Sequence, residues 1–454
     1  MRIHLIAIGG SAMHNVALAL HQKGYQLSGS DDEIFEPSKS RLKEAGLLPE
    51  EIGWDPDRIT EDLDVVILGM HARKDNPELL RAQELGLNVV SYPEFIYQQA
   101  KDKKRVVIAG SHGKTSMTAM ILHVLSKLNI NCDYLVGAQL EGFHTMVKLS
   151  DAPLMIIEGD EYLSSPIDRR PKFLWYRANI AVISGIAWDH INVFPTFEDY
   201  KSQFAAFVNS ISDDGSLIYY EDDEQIKSIL KSQKPTFELK AYNTHPYQVE
   251  DGRTLLLDNG DKHEVEIFGK HNLQNLNAAL NVCLKLGADK SDFYDAIATF
   301  KGAAKRMELI AESANSKVFK DFAHAPSKLK ASVAAAKEQF PNKRLIACVE
   351  LHTFSSLTKA FLDQYSGSMD MADRAMVYYN PHTIAHKGLE EISKEEVKSA
   401  FSPSDIEVFN DSSEIRKSLE AENYEDTILL LMTSGNFDGI KLDDFGKELL
   451  ADQS

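Results

Sequence analysis

The chain has 454 residues, 43% of them apolar and 26% charged, with a formal net charge of −19 at neutral pH. That length calls for about three domains at ~150 residues each, and the composition is that of an ordinary globular protein. The acidic balance argues against a nucleic-acid or anionic-membrane partner, which needs a basic face, but it leaves room for a small anionic ligand in a locally basic pocket.

In chain order, IHLIAIGG (3–10) reads as a buried parallel strand ending in glycines, and a helix pattern runs from Met13 to Gln22. YQLSGSD (25–31), DVVILGM (64–70) and LNVVSY (87–92) read as further strands, and strands alternating with helices predict an open parallel sheet with crossovers. KDKKR (101–105) is a charged break, after which the alternation restarts with RVVIAG, PLMIIEG (153–159) and NIAVISG (179–185). A helix-rich stretch from about 197 leads into an extended, turn-rich region at 215–268, and FGKHNLQNLNAALNVCLKLG (268–287) returns to helix. A second alternating block holds SKVFKDFA (316–323), RLIACVE (344–350), RAMVYYN (374–380) and TILLLMTSG (427–435). The expectation is three α/β domains over 1–103, 104–302 and 303–454. They comprise a Rossmann-like first domain, a P-loop-type central domain and a Rossmann-like third domain.

Cys132, Cys283 and Cys348 are far apart, odd in number and form no C-x-x-C pair, so neither a disulfide framework nor a zinc site is indicated. The apolar run in residues 1–10 is too short for a signal h-region, and no later run approaches ~18 apolar residues. A reduced, cytoplasmic protein with no membrane partner is expected. Oligomeric state is not legible.

The densest chemistry lies in RVVIAGSHGKTSMTAMILHVL (105–125). Gly110 and Gly113 let the backbone turn its N–H groups inward around Ser111 and His112, and a helix opening at Lys114–Ser116 aims its dipole at the same spot. Lys114 supplies a point charge for phosphate oxygens and Thr115 a hydroxyl for Mg²⁺. The usual spelling G-x-x-x-x-G-K-[ST] asks for glycine at position 108, which is Ile108. Glu158, Asp160 and Glu161 follow one strand and Asp189-His190 follows another. Strand ends of a parallel sheet are where ligands sit, so Thr115, Glu158 and His190 are expected to converge on metal. In the first domain, Gly9-Gly10-Ser11 with Asp31 about twenty residues on imitates a dinucleotide fingerprint, though Ala7 and Ala12 stand where glycine is expected.

AGSHGKTS, EGDEY, DH at 189–190, GKHNLQN at 269–275, KR at 305–306 and DFAHAP at 321–326 occur in the order found in the Mur ligase family, and the chain resembles that family over essentially its whole length. The resemblance implies an ADP-forming ligase that uses ATP and Mg²⁺ to join UDP-N-acetylmuramate, or its peptides, to an amine through an acyl phosphate in building peptidoglycan. It implies a UDP-sugar site in the first domain (Gly9, Gly10, Ser11, Asp31, His71), an ATP site in the second and an amine site in the third. Lys114 would grip the γ-phosphate within the loop Gly110 to Ser116. Thr115, Glu158 and His190 would hold metal, Asn275 would face the adenine, and Arg306, Asp321 and His324 would reach phosphates and ribose. The family's loop is the shorter G-[ST]-x-G-K-[ST], which removes the objection at Ile108. SDDEIFEPSKSRLKEAGL (30–47), NPE (76–78) and DEYLSSPIDRRPKFLWYRANIAVI (160–183) resemble the peptidoglycan-recycling branch, whose amine is L-alanyl-γ-D-glutamyl-meso-diaminopimelate. The alternatives are the branch that adds L-alanine and an ATP-binding regulator without turnover. Ala325 replaces a histidine common in the family, Lys320 an aspartate, TSGNF (433–437) the common S-N-G-G-F, and VELHTFSSLTKAF (349–361) lacks an arginine usual near His352.

Overall fold

The computed structural model describes residues 1–137, 143–188, 193–302, 306–401 and 405–451. The apolar runs form parallel strands, trimmed at both ends by the turns that follow them. In the first sheet β1 (Arg2–Ile6), β2 (Gln26–Ser30), β3 (Val65–Leu68) and β4 (Val89–Ser91) lie in the order β2-β1-β3-β4, all parallel. Helices α1 (Ser11–Gln22), α2 (Ser38–Glu44), α3 (Pro77–Glu84) and α4 (Tyr92–Ala100) connect them or lead onward. The helix anticipated from Met13 starts two residues earlier, directly after the glycine pair.

The central sheet is built from β5 (Lys104–Ala109), β6 (Asp133–Leu135), β7 (Val147–Lys148), β8 (Leu154–Glu158), β9 (Ile180–Ile183), β10 (Ser216–Tyr220) and β11 (Glu238–Tyr242). Its order is β11-β10-β9-β5-β8-β6-β7, with only β7 antiparallel to its neighbour. β5 is therefore flanked by β9 and β8, with Ile108 level with both Val182 and Glu158. That register is the reason a carboxylate 50 positions downstream ends up beside the loop after β5. The helices α5 (Lys114–Lys127), α6 (Phe197–Asn209) and α7 (Glu224–Gln233) cover the faces. One apolar cluster runs from Ile3, Val16 and Ile96 through Val107 and Ile157 to Phe173, Phe204 and Phe207. Residues 1–243 and 275–297 accordingly form one compact unit.

The second compact unit comprises 244–274 and 298–454; its boundary falls inside α8 (Lys270–Lys285), which α9 (Lys290–Ile297) follows. The turn-rich stretch resolves into an antiparallel three-stranded sheet of β12 (Tyr247–Glu250), β13 (Arg253–Asp258) and β14 (Asp261–Val265). The larger sheet uses β15 (Glu308–Glu312), β16 (Lys317–Asp321), β17 (Arg344–Leu351), β18 (Arg374–Tyr379), β19 (Glu407–Phe409) and β20 (Thr427–Met432) in the order β15-β16-β20-β17-β18-β19. Alternate residues of β17 and β20 feed two separate clusters, as a strand buried on both faces must. The helix α10 (Pro326–Gln339) after β16 contributes Leu329 and Val333 to one cluster. The later helices α11 (Pro381–His386), α12 (Lys394–Phe401), α13 (Ser412–Glu420) and α14 (Leu442–Ala451) complete the layers, with Leu442 and Phe445 of α14 in the other cluster. The chain thus leaves β16 and β20 toward opposite faces, and the crevice beyond their C-terminal ends is the kind of place where such sheets take ligands. No helix among the described residues is long and apolar enough to cross a membrane.

Candidate nucleotide and metal site

The turn after β5 is set by two glycines in the left-handed region, Gly110 at φ +124° and Gly113 at φ +76°. A Cβ on Gly110 would stand 2.2 Å from Ser184 Oγ, and one on Gly113 would stand 2.1 Å from Asn275 Oδ1. Both positions demand glycine for backbone reasons and for space. Ile108, by contrast, is fully buried inside β5, so the loop opens two residues later than in a longer P-loop. The Ser111 N–H donates to Gly185 O at 3.0 Å and is used by the fold itself. The N–H groups of Lys114, Thr115 and Ser116 precede the first intrahelical bond, Met117 N–H to Gly113 O at 2.9 Å, and no side chain caps them. That leaves them to an anion.

The three carboxylates beyond β8 divide their work. Glu158 Oε1 accepts from Thr115 Oγ1 at 2.9 Å and Oε2 from Gly137 N–H at 3.0 Å; burial pushes its carboxyl up. Asp160 turns to Lys172, and although burial opposes it, Lys172 and Lys114 hold its carboxyl well below the usual range. Glu161, 1% exposed, takes Lys114 Nζ at 2.8 Å on Oε2, while Lys114 also donates to Gly110 O at 2.7 Å. Burial works against the Lys114 ammonium, and Glu161, Asp160 and Glu158 more than reverse it, raising its pKa. Thr115 and Glu158 suit Mg²⁺, which takes a carboxylate and hydroxyl oxygen and completes its shell with substrate phosphate and water. Among the described residues no cluster of three or more His, Cys, Asp and Glu forms a metal site by itself. Asp189 and His190, and with them the expected third metal ligand, lie outside the described residues. Sequence reading missed Tyr200 and left Glu161 without a role. Tyr200 OH donates to Glu161 Oε1 at 3.0 Å and lies 2.9 Å from Ser111 Oγ. No short motif joins these positions.

In the first sheet, Gly9 N–H donates to Asp31 Oδ2 at 2.7 Å, and a Cβ on Gly9 would come within 2.9 Å of that oxygen. Ala7, which stands where the fingerprint wants glycine, adopts φ +66°, so the glycine-type turn survives at a cost of about 1–3 kcal/mol. Gly10 caps α1, Ser11 opens it, and the exposed His71 ring lies 3.5 Å from where a Gly10 Cβ would be. Burial raises the Asp31 carboxyl to about 6; the Gly9 N–H opposes this and Asp32 adds to it.

In the second unit, Arg306 stacks over the Phe322 ring at 4.9 Å, and His324 meets the same ring edge-on and bonds Phe322 O at 2.9 Å. Asp321 ends β16 and accepts from Ser332 Oγ. His271, also missed as a site residue, is half-buried near them; desolvation lowers its pKa, Asp321 opposes this and Arg306 adds to it. Asn275 belongs to the first unit, against Gly113.

Three models of one family match the chain: the Mur ligase family catalytic domain over 2–104, the Mur ligase middle domain over 108–283 and the Mur ligase glutamate ligase domain over 305–435. A UDP-N-acetylmuramate–L-alanine ligase from Sulfurihydrogenibium sp. is 32% identical over 387 residues, covering 83% of this chain and 82% of that protein. The chain belongs to the Mur ligase family. It is an ATP-dependent, ADP-forming ligase with that family's three-domain α/β architecture. A second UDP-N-acetylmuramate–L-alanine ligase, from Persephonella marina, is 31% identical over 83% of this chain and 81% of its own. Among solved structures, the UDP-N-acetylmuramate-alanine ligase of Thermotoga maritima matches with a TM-score of 0.71 at 20% identity, covering all of this chain and 99% of that one. The murein peptide ligase of Psychrobacter arcticus matches at 0.65 and 24% identity, covering 99% and 98%; at these identities both show the shared fold.

Gly113→Ala is expected to weaken ATP binding at least tenfold, because the new Cβ must displace Asn275 and holds an unfavourable φ; calorimetric titration with ATP checks this. Asp31, unfolded near 3.8 and folded near 6, binds more protons in the folded state between those values. The stability it contributes is therefore full below about pH 4 and declines as pH rises to about 6. Asp31→Asn removes that slope, as urea unfolding at several pH values reads.

Proposed function

We propose that the chain joins UDP-N-acetylmuramate to an amine, activating the sugar's carboxylate as an acyl phosphate at the expense of ATP. The observation that carries this is the meeting of Lys114, Thr115 and Glu158 at the C-terminal ends of β5 and β8 in a chain 32% identical to a UDP-N-acetylmuramate–L-alanine ligase. On this reading residues 1–103 bind the UDP-sugar, 104–302 bind ATP and Mg²⁺, and 303–454 present the amine.

A carboxylate is a poor acyl donor, and phosphoryl transfer to it is limited by positioning and by the charge spread over the equatorial oxygens. Lys114 and the amides of Lys114–Ser116 cradle the phosphates, and Asn275 faces the base. Arg306, Asp321 and His324 serve the phosphates and ribose. Gly9, Gly10 and Ser11 with Asp31 and His71 hold the UDP-sugar. Thr115 and Glu158, with His190, would hold Mg²⁺, which neutralises phosphate charge when bound.

The amine is L-alanine on the reading the curated relatives support, in place of the tripeptide expected from 30–47, 76–78 and 160–183. Those segments favour the tripeptide of a murein peptide ligase as the second reading. The choice is made in the crevice beyond β16 and β20, a cavity of about 370 Å³ lined by Lys320, Asp321, Phe322, Thr433, Gly435 and Asn436. Here Lys320, standing where the family often has an aspartate, is neutralised by Asp443 at 2.7 Å and Glu308 at 3.3 Å.

Phosphate release with ATP, Mg²⁺ and UDP-N-acetylmuramate is to be compared with L-alanine, with L-alanyl-γ-D-glutamyl-meso-diaminopimelate and without amine. Release stimulated by L-alanine and abolished in Lys114→Ala is the expected result. Stimulation by the tripeptide alone replaces the first reading by the second, and no stimulation by either makes the chain a non-catalytic ATP binder.

A further inference from the structure

Lys114 does not stand alone in the loop; it ends a buried chain of hydrogen bonds whose direction is fixed. Glu161, as a carboxylate, can only accept, so Tyr200 must donate to it, and Ser111 Oγ–H must then donate to the Tyr200 oxygen. Ser111 Oγ receives the Ala187 N–H at 2.9 Å. The order is Ala187 N–H, Ser111, Tyr200, Glu161, with Lys114 closing from the other side at 2.8 Å. Tyr200 is fully buried and its ring is wedged edge-on between Phe194 at 5.5 Å and Phe204 at 5.3 Å, so its hydroxyl has little freedom. An ammonium has three donors. Glu161 and Gly110 O take two, which fixes Nζ in place and leaves the third for a phosphate oxygen.

We propose that Glu161, locked by Tyr200, is a positioning residue that presets the Lys114 ammonium for the terminal phosphate of ATP. This deepens the proposed function and rests on its ATP site, though not on the identity of sugar or amine. The pair acts on Lys114 and not on the nucleotide as a whole: the adenine and the inner phosphates are served by other groups. Releasing Nζ from its two anchors restores rotamer freedom to a four-carbon stem, and that freedom is then lost again at every turnover.

Calorimetric titration of wild type, Glu161→Gln and Tyr200→Phe with ADP and with a non-hydrolysable ATP analogue tests it, with Mg²⁺ present throughout. Both variants are near-isosteric, and circular dichroism establishes that each is folded; if Glu161→Gln is not, Tyr200→Phe decides. The expected result is that the preference for the triphosphate over ADP shrinks on the order of tenfold in each, with ADP affinity within about threefold of wild type. In turnover, kcat falls on the order of 10- to 100-fold while the KM for amine is unchanged. An unchanged triphosphate preference overturns the proposal. An equal loss of ADP and triphosphate affinity also overturns it, since the network would then merely shape the loop. A wild type that prefers triphosphate but releases no phosphate with UDP-N-acetylmuramate and amine strikes the proposed function and leaves this inference standing.

Discussion

The site depends on the absence of two Cβ atoms. At Gly110 and Gly113 the chain turns through the left-handed region while Ser184 and Asn275 press to within 2.2 Å and 2.1 Å of where a side chain would begin. That double constraint pulls the loop against β9 and α8 and starts α5 with its first amides unspent. The Thr115–Glu158 contact, the Lys114–Glu161 pair and the Tyr200 lock are all measured from that turn. The parallel register that sets Ile108 against Glu158 and Val182 supplies the other coordinate. Strand pairing and a tight turn together bring the Thr115 hydroxyl and the Glu158 carboxylate into hydrogen-bond contact and set the Lys114 charge close enough to act on that carboxylate.

Much of this was legible in the residues. Runs such as VVIA (106–109) and ILLLM (428–432) are apolar without a break because both sheet faces are covered, and they point to the parallel strands. The loop AGSHGKTS announced itself by order and spacing. What stayed hidden was partner choice. Glu158, Asp160 and Glu161 look alike in sequence, and only the fold sends them separately to Thr115, Lys172 and Lys114. Tyr200 lies 39 positions from Glu161 on an amphipathic helix where an aromatic reads as core, and it is core as well. Ala7 was the reverse case. It stands where the fingerprint asks for glycine, and it takes the glycine-type backbone all the same, at φ +66°. The antiparallel sheet at 247–265 is obscured because its two outer strands, β12 and β14, are short, mostly half-exposed or exposed, and lack a continuous apolar signal.

In the second unit a single carboxylate ties two strand ends together. Glu350 Oε2 accepts from Thr433 Oγ1 and from Phe437 N–H at 2.8 Å, binding the ends of β17 and β20 together. Gly435 leaves room for His352, whose Nδ1 would lie 2.7 Å from a Cβ there. These contacts fix the rim of the crevice beyond β16 and β20. The departures at Lys320, Ala325 and TSGNF all lie in this second unit, around the C-terminal ends of β16 and β20.

Amide hydrogen exchange over residues 105–125, with and without a Mg²⁺-bound non-hydrolysable ATP analogue, tests most directly the claim that this loop holds the phosphates. The N–H groups of Lys114, Thr115 and Ser116 are expected to slow sharply, whereas Ser111, already bonded to Gly185 O, changes little. Unaltered exchange at 114–116 in a sample saturated with nucleotide would contradict the account.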